Sequence, residues 1–570
     1  MMSKKLFLIF FILISHKSFS QNNEGEIEDA QILIEKNSII ILPKADKSIN
    51  KIIGEGGKIE MKRFDYDDVL YSFESDDKKI DRILRNEIKI LDDKNIFLDL
   101  GYGNYGSFLI HSNPSYVISN KLSIYSDIFH LSSSKGSKLS SLSGKSHSDI
   151  NLNFNYKFDN KNTLKSYLKY QNNANGYYGF VNSESINELT KEQEEDYSLK
   201  NNTFDYNINF QNVSEKLISE ITFSGREYSD NLFDENSYIF KGSLTLPISK
   251  SILSITPQFK SYNLKHGPEI GLNDETPLNI NEFSLPLSYE YFSKNFMFNF
   301  DLDYQIINRS YKSSNKKTSF SPSLKLKYNL NDITFRASAS KGLYHNTYYD
   351  EIKSLPFIHD PLLINEFDLT ENKYSFMGAI DISINDDTQI SFSYETKNLK
   401  GTLDYILSSA NDLQGDIRNP LYLYSIERNP EEEVIDKISL EINSSINNIN
   451  SSFNFIYNIY EEKEVLMPVY LIEQVNTLSL GKLDFTLGGI FELENYGLNF
   501  NNEMFKMNSY IDIFSKTSYQ FSESLNVYIK INNILNKYNE RFFMYPDQGI
   551  NFMVGIKWNF WWKNLKMTMV

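Results

Sequence analysis

The segment 342–371 carries the densest group of side chains that could do chemistry. His345, Asp350, His359 and Asp360 are two imidazoles and two carboxylates, the types used for acid–base catalysis and for metal binding. No recognisable motif surrounds them, and closeness in sequence does not show that side chains converge. We therefore favour an exposed polar loop here, and we predict no enzymatic activity, no catalytic residue, no metal site and no cofactor.

Other candidate chemistry is equally sparse. The acidic runs 192–196 and 431–433 offer carboxylates that Ca²⁺ can use, but such runs are more often solvated loops. No glycine-rich phosphate loop occurs. With 0 cysteines, the chain has no disulfide and no thiolate metal site. The net charge of −16 argues against nucleic acid as a partner.

The first twenty residues have the pattern of a secretory signal peptide. Lys4 and Lys5 precede an apolar run over 6–14, which is too short to cross a bilayer as a mature helix. Ser18 and Ser20 place small residues at −3 and −1 of a cut before Gln21. We expect residues 1–20 to be removed, and no cysteine follows the apolar run to carry a lipid anchor.

Apolar and polar residues alternate with a period of two through most of the remaining chain, which indicates strands with two different faces. One example is the aromatic and apolar row Phe296, Phe298, Phe300, Leu302 and Tyr304, which opposes Met297, Asn299, Asp301, Asp303 and Gln305. Aromatic residues make up 14% of the chain although its mean hydropathy is −0.42. A large membrane barrel gives this combination, because lipid-facing and lumen-facing residues cancel in the average.

Short and long connections alternate between these strands. The short ones include 293–295, 329–332, 385–388, 446–450 and 520–524, and the long polar ones lie near 171–201, 264–280, 342–371, 408–432, 494–506 and 533–549. Bacterial barrels have short periplasmic turns and long outer loops. The fold predicted for residues 94–560 is therefore all-β, a transmembrane antiparallel β-barrel of about 22 strands. A soluble β-sandwich also alternates, but it rarely needs so many long strands or so much Phe and Tyr.

Two groups of side chains follow from this fold. Inward-facing charges are expected to line the lumen and tune what it admits, namely Lys157, Asp301, Asp303, Lys325 and Lys327. Aromatic residues collect at membrane interfaces, so the C-terminal cluster is expected to anchor the barrel there, namely Trp558, Phe560, Trp561 and Trp562.

Two segments resemble the barrel domain of TonB-dependent receptors. The hairpin over 321–332 leads into the Arg336-Ala337-Ser338 step and then Lys341-Gly342, which is similar to the mid-barrel hairpin of that family. The stretch 532–538, followed by Tyr545-Pro546, Gly549 and an alternating strand that ends at Phe560, looks like its C-terminal signature. The resemblance implies a receptor-type outer-membrane barrel over residues 94–560.

The departures from that family are also specific. Only residues 21–93 precede the barrel, too few for the family's plug domain, and no energy-coupling box is evident unless 31–34 imitates one. Leu369–Asn372 stands where the family usually has a Pro-Glu step, and the tail 561–570 follows the last strand. We expect 21–93 to be a periplasmic or lumen-docked segment of a plug-less relative.

Two functions remain open at this stage. The resemblance implies outer-membrane uptake or receptor function, whereas the missing plug favours a non-transporting scaffold or accessory subunit of an outer-membrane assembly or secretion machine. Both place the protein in the bacterial outer membrane, in contact with its lipid. Both imply envelope partners, either a surface lipoprotein or assembly subunits. Because an unplugged lumen should leak, the second interpretation predicts a lid made from loops or from a partner.

Overall fold

The computed structural model describes residues 96–136, 142–180, 197–214, 216–267, 276–360, 363–385, 387–409, 421–460, 466–498, 501 and 503–560. The predicted signal peptide 1–20, the segment 21–93 and the tail 561–570 lie outside these ranges. Among the described residues, no helix is both long enough and apolar enough to cross a membrane.

The described chain forms a closed antiparallel β-barrel of 22 strands. Closure comes from the first and last strands, which pair along their length with Ile96 opposite Phe560 and Gly103 opposite Met553. Each other strand pairs with its sequence neighbours, so the ring has no crossover connection. The predicted fold class and strand number are thus confirmed.

The barrel strands β1–β22 have the following bounds, in chain order. They are Ile96–Gly103, Ser107–Ser112 with Ser115–Ser119, Leu122–Ser133, Lys145–Lys157, Asn162–Gly176, Ser198–Val213, Ile218–Ser229, Phe233–Ile248, Ser251–Ile255 with Gln258–His266, Leu278–Phe292, Phe296–Tyr311, Ser313–Leu330, Ile333–His345, Leu369–Asn385, Thr388–Lys400, Glu432–Ile446, Ile449–Tyr460, Tyr470–Leu480, Leu483–Leu493, Tyr510–Gln520, Leu525–Asn532 and Asn551–Phe560.

Two of these strands are interrupted, and each interruption contains a proline. β2 breaks at Pro114 and β9 at Pro257, because proline lacks the N–H that a ladder needs. Both prolines still accept a neighbour's hydrogen bond, from the N–H of Ser126 at 2.8 Å and of Gly242 at 2.9 Å. The 24 strand segments of the sheet therefore make 22 barrel strands.

Successive antiparallel strands place every long connection at one end of the barrel, named here the long-loop end, together with the short connections 104–106, 230–232 and 312. The connections at the other end are all short, and this end is named the short-turn end. Asn331 and Asn447 take positive φ in two of the short turns, a conformation that asparagine tolerates. Asp159 accepts hydrogen bonds from the N–H groups of Lys161 and Asn162 at 2.7 and 2.8 Å in another. β1 begins and β22 finishes at the short-turn end.

The two faces of the wall differ as the alternation predicts. On β11, Phe300 is 40% exposed while Gln305, on the opposite face, is 6% exposed. Exposed Phe, Tyr, Ile and Leu side chains recur on nearly every strand. This gives an apolar exterior and a polar interior, the arrangement that a bilayer requires of a barrel.

The long connections contain structure of their own. They include an α-helix, α1, over Tyr348–Ser354, and short 3₁₀ turns over Asn104–Gly106 and Leu363–Asn365. Three small hairpins join Leu403–Ser409 to Leu423–Arg428, Tyr496–Leu498 to Met504–Lys506, and Glu540–Phe542 to Tyr545–Pro546.

Candidate functional site

A cluster of buried apolar side chains lies at the long-loop end, where connections from distant parts of the ring meet. We name it the loop core. It comprises Leu142, Tyr177, Tyr178, Phe180, Tyr197, Leu232, Tyr348, Ile352, Leu355, Phe357, Ile358, Leu363, Ile364, Phe367, Leu407, Leu421, Tyr422, Leu423, Tyr424, Ile426 and Tyr545 of the connections, with Leu199, Tyr228, Phe233, Tyr262, Leu264, Leu278, Ile280, Ile307 and Leu369 of the strands.

Aromatic contacts join three connections in the loop core. Phe357, between β13 and β14, stacks on Tyr545, between β21 and β22, with ring centroids 3.6 Å apart and planes at 20°. Tyr178, between β5 and β6, meets the edge of Tyr545 at 4.9 Å. The three strand pairs are spread around the ring, so the connections reach each other only across the barrel mouth. Burying each such ring stabilises the contact by about 1.5–3 kcal/mol.

Backbone hydrogen bonds reinforce the same junction. Isolated bridges pair Phe180 with Leu421 and Ile358 with Tyr424. The N–H of Tyr422 donates to the carbonyl of Gly179 at 3.1 Å. Because a buried backbone group without a partner is costly, these bonds let loops be buried across the mouth.

Two carboxylates hold helix α1, one in the connection between β7 and β8 and the other on β8. Asp230 accepts from the hydroxyls of Tyr228 at 2.7 Å and Tyr348 at 2.8 Å, and from the N–H groups of Leu232 and Phe233. Burial raises the pKa of Asp230, while these hydrogen bonds oppose the rise. Asp230, a buried acid, thus links the end of β7 to helix α1 in the loop core.

The second carboxylate is Glu235, near the start of β8. Its Oε2 accepts from the N–H of Tyr349 at 2.9 Å and from the hydroxyl of Tyr262 at 3.1 Å, while Oε1 has no hydrogen-bond partner. Arg226 stacks 4.0 Å over the ring of Tyr349. Burial raises the pKa of Tyr349 to about 12, so its hydroxyl stays neutral. The first turn of α1 is therefore fixed to β7, β8 and β9.

The four side chains first considered for chemistry have different surroundings. The ring of His345 meets Tyr262 at 4.3 Å, and its Nε2 has no hydrogen-bond partner. The Asp350 N–H donates to the Thr347 hydroxyl that caps α1.

The other two belong to the junction between loops. The ring of His359 lies 5.6 Å from the ring of Tyr177, and the backbone N–H of His359 donates to the carbonyl of Tyr424. Asp360 accepts from the hydroxyl of Ser425 at 2.5 Å. Burial lowers the pKa of His359, against the opposing charge of Asp360. These contacts give the four residues packing and capping roles, not a shared reacting centre.

No group of three or more His, Cys, Asp or Glu side chains that could hold a metal is found within the described ranges. The acidic run 192–196 lies outside them. In the other run, Glu432 lies 3.9 Å from the Lys373 ammonium and 3.3 Å from the Asn398 amide.

The residues expected to line the lumen lie on the wall face opposite the exposed aromatic row. Lys325 pairs with Asn299 and Lys327 with Met297, while Asp301 and Asp303 pair with Ser323 and Ser321 in the β11–β12 ladder. Lys157 pairs with Thr163 beside the short turn after β4. Their influence on passage stays a prediction.

The membrane-anchor prediction falls at the edge of the described chain. Trp558 is 49% exposed on the outward row of β22, opposite Leu98 and Leu525. The backbone of Phe560 pairs with Ile96. Trp561 and Trp562 lie outside the described residues.

Sequence reasoning missed the residues that make this site, although the sequence contains a signal for them. The sequence pattern predicts polar long connections, and an exposed loop over 342–371, yet these connections contain Tyr177-Tyr178, Phe357, Tyr422 with Tyr424, and Phe542-Phe543. Aromatic residues at that density in loops indicate burial, because exposed connections seldom carry so many. The anchors Asp230 and Glu235 carry no comparable signal.

The arrangement of this site favours a structural or recognition role. It fixes loops to one another and to the wall, and it buries the carboxylates in hydrogen bonds with tyrosines. The result is a preorganised surface across the barrel mouth, a property that binding uses.

Neither protein-family models nor curated proteins give a match to this chain, whereas solved structures do. The siderophore receptor PirA from Acinetobacter baumannii is 12% identical with a TM-score of 0.61, over 82% of this chain and 80% of that one. The FrpB iron transporter from Neisseria meningitidis is 9% identical with a TM-score of 0.64, over 82% of each chain. The ferric-catecholate import receptor Fiu from E. coli K12 is 8% identical with a TM-score of 0.58, also over 82% of each. The predicted likeness to TonB-dependent receptor barrels is thereby confirmed at the level of the fold.

Proposed function

We propose that this chain is an outer-membrane receptor barrel that takes part in uptake into a bacterial cell, with the loop core on the cell surface. The observation that carries the proposal is the closed 22-strand barrel with an apolar exterior. Solved structures with this fold include a siderophore receptor and an iron transporter, so iron complexes are the first solutes to test.

The orientation follows from the two ends of the barrel. Outer-membrane barrels expose their long loops and keep short turns in the periplasm. β1 would then begin on the periplasmic side, since it starts at the short-turn end. Lipid of the outer membrane would contact the aromatic exterior, and the loop core would meet the solute first.

Epitope insertion tests the orientation directly. An epitope at Ser314, at the tip of the β11–β12 hairpin, should be labelled on intact cells. The matched insertion at Asn160, in a short turn, should be labelled only after the outer membrane is permeabilised. Labelling of Asn160 on intact cells, or the absence of both proteins from outer-membrane fractions, contradicts the proposal.

Growth tests the uptake step. A deletion strain supplied with single iron chelates should lose growth on one or a few of them, and the full-length chain should restore it. A strain that grows like its parent on every supplied chelate and other scarce nutrient contradicts a receptor role. The Phe521→Ala variant, at an exposed site in a short turn, serves as a complementation control.

A second candidate function is a non-transporting subunit of an outer-membrane machine, and the loop core is the observation that favours it. The apolar packing across the mouth would serve as the lid that such a barrel needs. Pull-down of the tagged protein in mild detergent, with single-channel recording on the same sample, separates the two. Stable envelope partners, a silent barrel and no nutrient defect favour the subunit.

A further inference from the structure

A cavity of about 290 Å³ lies beside the loop core, at the long-loop end of the wall. Ile307 and Arg309 of β11 and Asn315 and Lys317 of β12 form one side of it. The other side comes from β14, β15 and the segment that leads into β16, with Asp368, Leu369, Glu371, Lys400, Gly401, Arg428 and Pro430. Ile307 is buried in the loop core, so the cavity opens on the inner face of the wall.

The cavity lining is rich in positive charge. Arg309, Lys317, Lys400 and Arg428 contribute four cations, against the two carboxylates of Asp368 and Glu371. This excess runs against the net charge of −16 for the chain. A local concentration of one sign in a concave site attracts ligands of the opposite sign.

Both carboxylates of the lining already have cationic partners. Asp368 lies 3.6 Å from the Nε of Arg309, and it also accepts from the N–H of Leu369 at 2.7 Å. Glu371 lies 3.1 Å from the ammonium of Lys373. Asp368, together with Glu366, also favours the charged form of Arg428, so the lining cations without a carboxylate partner are Lys317 and Lys400.

Two cations of the lining, Lys317 and Lys400, form no ion pair with any residue in the described part of the chain. Arg428 is fixed in place because its guanidinium donates to the carbonyls of Glu366 and Leu369. Burial lowers the pKa of this guanidinium, while the charges of Asp368 and Glu366 oppose that change. An anionic group of a ligand would be attracted to this guanidinium, since charge-assisted hydrogen bonds are stronger than those between neutral groups.

From this charge balance and geometry, we propose that the cavity binds a small molecule that carries two or more carboxylate or phosphate groups. One anionic group lies against Arg428, and another is held between Lys317 and Lys400. Ile307, Leu369 and Pro430 supply an apolar wall for the ligand's carbon atoms. The inference names a ligand class for the proposed receptor and rests on that function for its biological meaning.

The test is calorimetric titration of the full-length protein in neutral detergent with inorganic pyrophosphate, with citrate and with acetate. Pyrophosphate or citrate should bind, and acetate should bind at least about tenfold more weakly. The double variant Lys317→Gln with Lys400→Gln should weaken the polyanion by about tenfold or more. Arg428 is left unchanged because its guanidinium also holds the loop.

Lys316→Gln is the matched control, since Lys316 is the next residue on the same strand and its side chain lies on the other face. It should alter affinity by less than about twofold. No binding by either polyanion, equal binding of acetate, or equal losses in the Lys316 and Lys317/Lys400 variants overturns the inference. If deletion of the gene impairs growth but the protein binds no polyanion, the ligand site is wrong and the receptor function stands. If the protein binds a polyanion but shows neither a growth defect nor surface labelling, the receptor function is wrong and the ligand site stands.

Discussion

Phe357 stacks on Tyr545 with ring centroids 3.6 Å apart, and this contact joins the connection before β14 to the connection before β22. Both rings are almost fully buried. A stacked pair contributes about 0.5–1.5 kcal/mol beyond the burial of its area. The contact is therefore one of the main interactions that stabilise the loop core.

Phe357→Ala should loosen the loop core and leave the barrel folded. Truncating a buried Phe lowers stability by about 3–5 kcal/mol. This loss should affect the packed loops and not the barrel strands, because Phe357 does not belong to the strand ladder of the wall. Hydrogen exchange should speed up at the amides of His359 and Tyr424, which bond across this junction. Phe521→Ala, at a site 67% exposed at the short-turn end, should leave those amides unchanged. Equal exchange in Phe357→Ala and the parent protein would contradict this role.

Asp230→Ala should release helix α1 from the wall. The change removes the acceptor of two tyrosine hydroxyls and two backbone N–H groups, and hydrogen bonds to charged groups contribute about 1.5–3 kcal/mol each. Limited proteolysis should cut within 346–368 at least about tenfold faster.

The neighbouring acid provides the control for this experiment. Asp234 contacts Ser229 and the half-exposed Lys265 at the surface, so Asp234→Ala should change the cleavage rate little. Similar rates for the two variants would show that Asp230 does not hold the helix.

The barrel itself could be predicted from sequence because its determinants are local. On β11, the alternation from Phe296 to Gln305 identifies both faces, and the turn at 293–295 is observed where it was expected. The end of β5 was harder to place. Its ladder continues to Gly176, whereas a connection was predicted from 171, because polar residues such as Asn172 and Asn173 suit both a polar wall face and a loop.

The aromatic residues of the long connections indicate burial, but the contacts between them could not be predicted because they depend on closure of the ring. Tyr178, Phe357 and Tyr545 come together only once β1 pairs with β22 and the loops are brought to one mouth. No periodic pattern in the local sequence indicates such long-range contacts. Helix α1 is only seven residues long, over Tyr348–Ser354, too short to show a helical apolar period and dependent on tertiary contacts for its stability.

Acidification should weaken the junction at His359. Burial lowers the pKa of this imidazole in the folded loop below its ordinary value of 6.5. The unfolded loop therefore binds the proton more readily, so the contribution to stability is complete above pH 6.5 and is lost as the pH falls through the lower folded pKa. Exchange of the His359 amide, which bonds to Tyr424, should accelerate between pH 7.5 and pH 5 beyond the intrinsic pH effect.

His359→Phe provides the comparison, because it keeps a ring against Tyr177 without a titratable group. The excess acceleration should disappear in this variant. If it persists, another group is responsible for the acid response.

Arg336 of β13 and Asp381 of β14 form a bidentate ion pair on the inner wall. Nε of Arg336 donates to Oδ2 of Asp381 at 2.6 Å, and Nη2 donates to Oδ1 at 2.7 Å. Both side chains are 13% exposed. Asp381→Asn should cost about 3–5 kcal/mol, since breaking a buried pair leaves the guanidinium without its counter-charge. Adding Arg336→Gln should recover part of that loss, and the coupling is measured by a double-mutant cycle of urea unfolding in lipid bilayers.

The exposed pair of Glu494 and Lys506, whose charged groups lie 2.9 Å apart, is the control, and Glu494→Gln should cost at most about 1 kcal/mol. Additive losses in the Arg336–Asp381 cycle would show that the pair does not act as a unit in holding the wall.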